Sequence, residues 1–301
     1  MPEPLSGVRV GIDVGGTKTH LRAARGGRVA ADRIVSSRGW RPADVASAAA
    51  FLTDLIAMSL PDATVEAVAV GAHGCDSARA CEAVAFELAR RLPGAKCLVR
   101  NDAELLVPAC GLDAGVGVVA GTGSVAVGRD SRGEPVFMGG WGWLLGDEGS
   151  APGLLRESVR ASMIARDRGE PPDLLTTMLI RSYGVAEVAD LPEAMADEAG
   201  AATWGRRAEL VFEALQGGSA LARAVVDDAA DALAGLVTGI AVRDVDVADI
   251  VVAGGVILNQ PSLFDTFARK LGRAVPASTV HRLTVDPVAG AVRLAERLAV
   301  G

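Results

Sequence analysis

The sequence predicts an α/β fold made of one unit repeated, with two domains facing each other across a cleft. Three observations predict it. The order strand, Gly-Thr turn, strand, hairpin, strand, helix occurs twice, once from Val8 and once from Val116. Short β-branched runs alternate with segments of helical period. The chain has 301 residues, half of them hydrophobic, which is long enough to fill two cores.

The elements follow in order. Residues 8–14 read as a buried strand, Gly15-Gly16-Thr17 as a turn, 20–24 as a second strand, Gly26-Gly27 as a hairpin turn and 28–35 as a third strand. Val45, Ala49, Leu52, Leu55 and Ile56 share one face of a helix over 43–58. A strand (65–70), a helix (76–92), a strand (97–99) and a helix (103–110) complete the first copy. The second has strands at 116–120, 125–128 and 134–138, helices at 151–168, 172–182, 187–198 and 204–216, an amphipathic helix at 224–242 and a strand at 250–253. A last helix, 288–300, carries the small residues Ala289, Gly290, Ala291 and Ala295, which permit close packing. The expected division is 1–112, completed by 287–301, and 113–286.

Composition excludes several classes. Acidic residues exceed basic ones for a net charge of −7, with no Lys/Arg cluster, which argues against a nucleic-acid or anionic-membrane binder. Residues 1–7 lack a basic segment followed by an apolar run, so no secretory signal is expected. The apolar run 250–258 is far shorter than a membrane span. The four cysteines, Cys75, Cys81, Cys97 and Cys110, form no CxxC pair, and His20, His73 and His281 are scattered, so no structural zinc is expected. Free thiols without a signal suit a cytoplasmic protein.

Five segments could carry chemistry. In Gly11-Ile12-Asp13-Val14-Gly15-Gly16-Thr17-Lys18-Thr19, a glycine turn can turn backbone N–H groups toward phosphate oxygens. Thr17 adds a hydroxyl, Lys18 a charge, and Asp13 a carboxylate at a strand end that can hold hydrated Mg²⁺. Walker A spacing is absent and a strand, not a helix, follows, so neither the P-loop nor the Rossmann fingerprint applies. Alone, the segment reads equally as a plain hairpin. Gly121-Thr122-Gly123-Ser124 is its counterpart in the second copy, and two such turns could grip a polyphosphate from both sides. Asn101-Asp102, after a strand and before a helix, supplies either a proton acceptor or a helix cap. Residues 139–150, GGWGWLLGDEGS, end in Asp147-Glu148, which suit sugar hydroxyls or a helix N-terminus; Trp141 and Trp143 are expected to pack. Gly254-Gly255, after a strand, lets a nucleoside approach the backbone or simply turns the chain into a helix.

These five segments, in this order, resemble the BadF/BadG-type ATPase family, and within it the N-acetylglucosamine kinases of the sugar kinase/heat-shock/actin fold. The resemblance runs from about Val8 to about Ala295, and GGWGWLLGDEGS is its most specific part. It implies a duplicated ribonuclease H-like, actin-like ATPase fold with an interdomain cleft. It also implies that ATP and Mg²⁺ are used, and that the primary hydroxyl of a hexose or amino sugar, N-acetylglucosamine or glucosamine foremost, is phosphorylated. By matching positions, Asp13, Gly15, Gly16, Thr17 and Lys18 and then Gly121, Thr122, Gly123 and Ser124 face phosphate. Gly254 and Gly255 face adenosine. Asp13 holds Mg²⁺ through water, and Asp102 is the catalytic base. Ser37, Trp40, Asn101, Asp102, Gly140 and Asp147 surround the sugar. Arg38 and His73 depart from the family pattern, which has asparagine and a small residue there; they either meet a different or more anionic sugar or are surface residues. Sugar and ATP are the expected partners, with no nucleic acid or membrane, and a homodimer is left open. Two other readings stand beside the kinase. One is an ATPase that activates a redox enzyme through an iron–sulfur cluster, against which no cysteine occurs in 111–301. The other is a sugar-binding module without catalysis.

Overall fold

The structure, a computed structural model, describes residues 7–198 and 200–300. The secretory-signal reading of 1–7 falls almost wholly outside them, as do the outermost residues of both ends of the first expected domain. In chain order the strands are β1 (Val8–Val14), β2 (Lys18–Arg25), β3 (Arg28–Ser36), β4 (Val65–Ala72), β5 (Lys96–Arg100), β6 (Val116–Ala120), β7 (Ser124–Arg129), β8 (Pro135–Gly139), β9 (Asp249–Ala253) and β10 (Thr279–Arg282). The helices are α1 (Val45–Ser59), α2 (Ala78–Arg91), α3 (Leu106–Ala109), α4 (Ala151–Asp167), α5 (Leu174–Tyr183), α6 (Leu191–Ala196), α7 (Ala201–Gly205), α8 (Glu209–Gln216), α9 (Ala220–Ala241), α10 (Gly255–Asn259), α11 (Pro261–Ala274) and α12 (Val288–Val300). Among the described residues no helix is long and apolar enough to cross a membrane.

Two five-stranded sheets form, in the orders β3-β2-β1-β4-β5 and β10-β9-β6-β7-β8. Read from the other edge, the second is β8-β7-β6-β9-β10, the same topology five strands later. In each, a meander of three strands is extended by two more that arrive through helical crossovers. The repeat visible in the sequence is therefore a repeat of sheet topology. In the first sheet β1 runs antiparallel to β2 and parallel to β4, and β4 parallel to β5. The chain divides into two compact units, Met1–Gly117 with Gly128–Pro135 and Leu283–Gly301, and Val118–Val127 with Val136–Arg282.

In the first unit Val8, Val10, Ile12 and Val14 of β1 share one core with Leu52, Leu55, Val70 and Leu88, which places α1 and α2 on one face of the sheet. The other face is covered by α12, whose Ala291, Leu294 and Ala295 pack on Ala67, Ala69 and Leu105. That approach is close: a side chain at Gly290 would begin 2.1 Å from the Leu105 carbonyl oxygen. In the second unit α9 buries Val226, Ala230, Leu233, Val237 and Ile240, the stripe its period predicts.

Several local expectations need correction. The helix expected over 103–110 begins as a 3₁₀ turn, Asp102–Leu105, before α3. The one expected over 187–198 is a 3₁₀ turn, Val188–Asp190, followed by short α6, and 204–216 splits into α7 and α8. Two elements had no counterpart in the sequence reading. α11 carried a signal, Pro261 at its first position and Leu263, Phe267 and Leu271 buried four residues apart. Edge strand β10 is four residues long with none of them fully buried, which leaves no periodicity to detect.

Candidate functional site

In the first unit, four loops from distant parts of the sequence converge. The β1–β2 turn is closed by the Gly15 amide donating to the Lys18 carbonyl (3.0 Å). The 3₁₀ turn Ser37–Gly39 is tied to it, because the Ser37 amide donates to the Thr17 carbonyl (3.0 Å) and the buried Thr19 and Ser37 hydroxyls meet at 2.8 Å. The loop after β4 joins both. The His73 amide donates to the Val14 carbonyl (2.9 Å), and the Trp40 indole N–H donates to the His73 carbonyl (2.9 Å). Trp40 is held from behind by an edge-on contact with Phe51 at 6.1 Å. The His73 ring lies over the turn, 3.8 Å from where a side chain at Gly16 would begin. Thus Asp13, Gly16, Ser37, Trp40, His73 and Asp102 are brought together. Arg38 shares the Ser37–Gly39 turn but its side chain is exposed and makes no ion pair among the described residues.

Asn101-Asp102 left two roles open in the sequence, and the structure divides them. Asn101, 6% exposed, is the cap: its Oδ1 accepts from the Ala103 amide (3.0 Å) and its Nδ2 donates to Asp76 Oδ1 (2.8 Å). Its own amide donates to Glu104 Oε1 (3.2 Å), closing a capping box, and Glu104 is in turn paired with Arg129 at 2.5 Å. Asp102 is thereby freed from capping. Its Oδ1 accepts from Ala103 N–H (3.1 Å), its Oδ2 lies 3.8 Å from His73 Nδ1, and the side chain keeps 31% exposure. Burial pushes the Asp102 carboxyl above its ordinary range, against the pull of His73. A carboxylate so raised is a better proton acceptor.

Asp13 lies at the end of β1, between His20 of β2 and Gly71 of β4. Burial, helped by the charges of Asp102 and Asp286 and opposed by Lys18, pushes its pKa up to about 7. Asp286, just before α12, is therefore part of the same electrostatic neighbourhood, and it also sits 3.5 Å from Arg22. The sequence offered no sign of that beyond an Asp-Pro step at a helix start. Asp13, Asp102 and Asp286 supply hard oxygen donors, which fit a hydrated divalent cation. Among the described residues no three ligating side chains stand close enough to hold one directly.

In the second unit the Gly121–Ser124 turn is closed by Gly121 N–H donating to the Gly123 carbonyl (2.9 Å). Ser124 Oγ donates to the Glu148 carbonyl (2.8 Å), and Ala151 N–H to the Gly121 carbonyl (2.8 Å), which seats the turn on the GGWGWLLGDEGS loop. The Gly140 amide donates to the Ser124 carbonyl (2.8 Å). Gly254 stands beside the same turn: its φ is +111°, and a side chain there would begin 2.3 Å from the Ala120 carbonyl oxygen. Gly255 N is 3.4 Å from where a Gly121 side chain would begin, so the Gly121–Ser124 turn and the glycine pair are adjacent.

Asp147 is the strained member of this loop. Its φ is +56°, in the left-handed region that few residues other than glycine adopt. It is 7% exposed, and burial raises its pKa against the Ser124 and Gly142 amides that hold it. One carboxylate oxygen, Oδ1, is buried with no hydrogen-bond partner. An orphaned buried acceptor is costly, and strain with it points to a binding role. Arg156, which sequence reasoning missed, braces the loop by donating to the Trp143 (2.5 Å) and Gly146 (2.8 Å) carbonyls. The tryptophans part company. Trp143 packs edge-on against Trp204 at 4.6 Å, as expected, but Trp141 is 83% exposed, so packing does not account for it.

The comparisons with known proteins agree with one another. The model of the BadF/BadG/BcrA/BcrD ATPase family matches residues 10–295. An N-acetyl-D-glucosamine kinase from Dictyostelium discoideum is 30% identical over 188 residues, 60% of this chain; the match spans 59% of that protein's length. An N-acetylmuramic acid/N-acetylglucosamine kinase from Clostridium acetobutylicum is 26% identical over 95% of this chain and 97% of its own. Among solved structures, a protein provisionally assigned as an N-acetylglucosamine kinase from Chromobacterium violaceum superimposes with a TM-score of 0.70 at 21% identity, covering 97% of this chain and all of its own. A ROK family glucokinase from Streptomyces griseus, solved with glucose and AMPPNP, gives 0.57 at 16% identity over 98% of this chain and 100% of its own. The likeness to these structures is one of fold: two α/β sheets of actin-like ATPase type.

Proposed function

This chain belongs to the BadF/BadG/BcrA/BcrD ATPase family, and on that premise we propose that it is an ATP-dependent kinase acting on the primary hydroxyl of a hexose or amino sugar, N-acetylglucosamine or glucosamine first. The observation that carries this reading is Asp102: released from capping by Asn101, partly exposed, raised in pKa, and set in the loop cluster that holds Asp13 and the β1–β2 turn. The names of the Dictyostelium and Clostridium relatives support it.

Asp102 accepts the proton of the sugar hydroxyl as that oxygen attacks the γ-phosphorus. By their family positions, Ser37, Trp40 and His73 in the first unit and Gly140 and Asp147 in the second are the residues that bind the sugar. The buried Oδ1 of Asp147 gains the donor it lacks when a sugar hydroxyl reaches it. The amides of Gly15, Gly16 and Thr17, the charge of Lys18, and the amides of Gly121–Ser124 take the phosphates; Gly254 and Gly255 leave room for adenosine. Mg²⁺, held by Asp13 through water, would neutralise phosphate charge. Positioning and charge neutralisation supply most of the acceleration in phosphoryl transfer. The same reading makes the protein cytoplasmic.

A second reading of the substrate rests on Arg38, whose guanidinium makes no ion pair among the described residues, shares a turn with Ser37 and lies two residues from Trp40: a sugar bearing a carboxylate would give it a partner. A coupled ADP-release assay with Mg·ATP against N-acetylglucosamine, glucosamine, glucose, N-acetylmannosamine, N-acetylmuramic acid and no sugar tests both. ADP release dependent on one sugar establishes the kinase and its substrate. Release equal in every tube, including the one without sugar, instead supports an ATPase serving a partner enzyme, and sugar binding without release supports a binding module. Asp102→Asn is expected to lower turnover by about 10²–10⁴-fold with ATP affinity kept; a near wild-type rate overturns its assignment as base.

A further inference from the structure

Cys75 and Cys81 are not used by the function proposed above, yet they are placed as a pair. Cys75 follows His73 and Gly74 in the loop after β4 and is fully buried in the first unit's core. Cys81 lies in the first turns of α2, and its Sγ reaches the Cys75 carbonyl oxygen at 3.4 Å. The Cys75 sulfur beside it, and secondly burial, hold the Cys81 thiol above its ordinary range, while Cys81 holds the Cys75 thiol below its own. Cys81 is accessible where Cys75 is not: with Arg100, Glu104 and Arg129 it lines a pocket of about 190 Å³ on this unit. Arg129 in that wall pulls the Cys81 thiol down, against the larger upward push of Cys75, burial and Glu104, so attack by Cys81 quickens as pH rises.

What separates the two cysteines in sequence is the start of α2, and that start bears on Asp102. Asp76 holds the Asn101 amide at 2.8 Å, and Ser77 caps α2 through the Ala80 amide at 3.2 Å. Asn101 in turn shapes the turn that begins with Asp102. Drawing the two sulfurs to the ~2.05 Å of a disulfide moves the segment between them.

We propose that Cys75 and Cys81 are a redox modification site, which closes an intramolecular disulfide with a low-molecular-weight disulfide as oxidant and thereby displaces Asp76 and the Asn101-Asp102 turn. The step balances. The Cys81 thiolate, exposed to the pocket, attacks one sulfur of the oxidant, whose S–S bond breaks and releases one thiolate. The Cys75 thiolate then attacks Cys81 Sγ, the mixed S–S bond breaks, and the second thiolate leaves. Two cysteine thiols are oxidised, one small disulfide is reduced to two thiols, and the two protons end on those thiols.

The test uses a Cys97→Ser/Cys110→Ser protein, which leaves only this pair, equilibrated with oxidised or reduced glutathione. Loss of two mass units with both free thiols gone is expected in oxidised glutathione, and reversal in dithiothreitol. Two thiols persisting, or a stable glutathione adduct on Cys81 alone, overturns the pair. On the same samples sugar-dependent ADP release is expected to fall roughly tenfold or more on oxidation, as displaced catalytic groups cause. Cys81→Ser in the same background should keep its basal rate and show no fall. A disulfide that leaves the rate unchanged overturns the link to Asp102. Because mass and thiol count do not require turnover, absence of kinase activity in the reduced protein would defeat the functional reading without touching the disulfide.

Discussion

Replacing Asp13 by Asn should stabilise the free protein above neutral pH while removing a group needed for turnover. Asp13 has its pKa raised from 3.8 to about 7, chiefly by burial and secondly by Asp102. A carboxyl raised in the folded state prefers its proton there, so folding gains from the neutral form. That contribution is complete below about pH 4, where both states are protonated, and is lost progressively as pH rises through about 7. About three pK units at ~1.36 kcal/mol each give a ceiling of about 4 kcal/mol at pH 8.5. Part of the penalty is already present at pH 5, so the stability gap between Asp13→Asn and wild type should widen by about 1–3 kcal/mol from pH 5 to pH 8.5, allowing for water at this partly exposed group. Urea unfolding of both proteins at the two pH values, without nucleotide or divalent cation, measures the gap. Adding Mg·ATP at pH 8.5 should reverse the order, since the wild type gains a cation ligand and the variant does not. A gap that stays constant with pH, or narrows as pH rises, would refute the account of Asp13 as an uncompensated buried acid.

Two further substitutions probe positions where backbone or charge is crowded. Gly290→Ala places a methyl 2.1 Å from the Leu105 carbonyl oxygen and 2.9 Å from the Ala109 amide, so α12 must lift from the Asp102 turn. A loss of about 1–3 kcal/mol in denaturant unfolding is expected, and an unchanged midpoint would show that α12 packs elsewhere. Asp147→Asn keeps the side chain's shape but removes a buried carboxylate with an orphaned oxygen. The free protein should be no less stable, while KM for sugar rises by about tenfold with KM for ATP little changed; a rise confined to ATP would move Asp147 from the sugar to the phosphates.

The readable parts of this protein are those whose physics is local. A Gly-Thr turn between β-branched runs reports itself because the turn chemistry and the strand period are both within about ten residues. Two copies of it predicted two sheets, and the sheets share one topology. The small residues of α12 announced close packing, and Gly290 sits against backbone. The short, polar β10 and the broken helices between Glu187 and Gln216 were not readable, because neither keeps a period long enough to detect.

The sequence by itself determined the order of elements, the duplication and the positions of the glycine turns. Only the tertiary structure decided what the polar residues near them do. Asn101 and Asp102 are neighbours with the same local options, and the Asp76 and Glu104 contacts make Asn101 the cap and leave the Asp102 carboxylate free of that task. Asp13 is acidic in any chain, but its pKa near 7 needs the burial and the Asp102 and Asp286 carboxylates that the turns after β5 and before α12 bring to it. Trp141 and Trp143, two residues apart, differ because Trp204 reaches one and not the other. In each case the deciding quantity is burial or charge set by residues distant in sequence, and that is fixed by packing, not by local pattern.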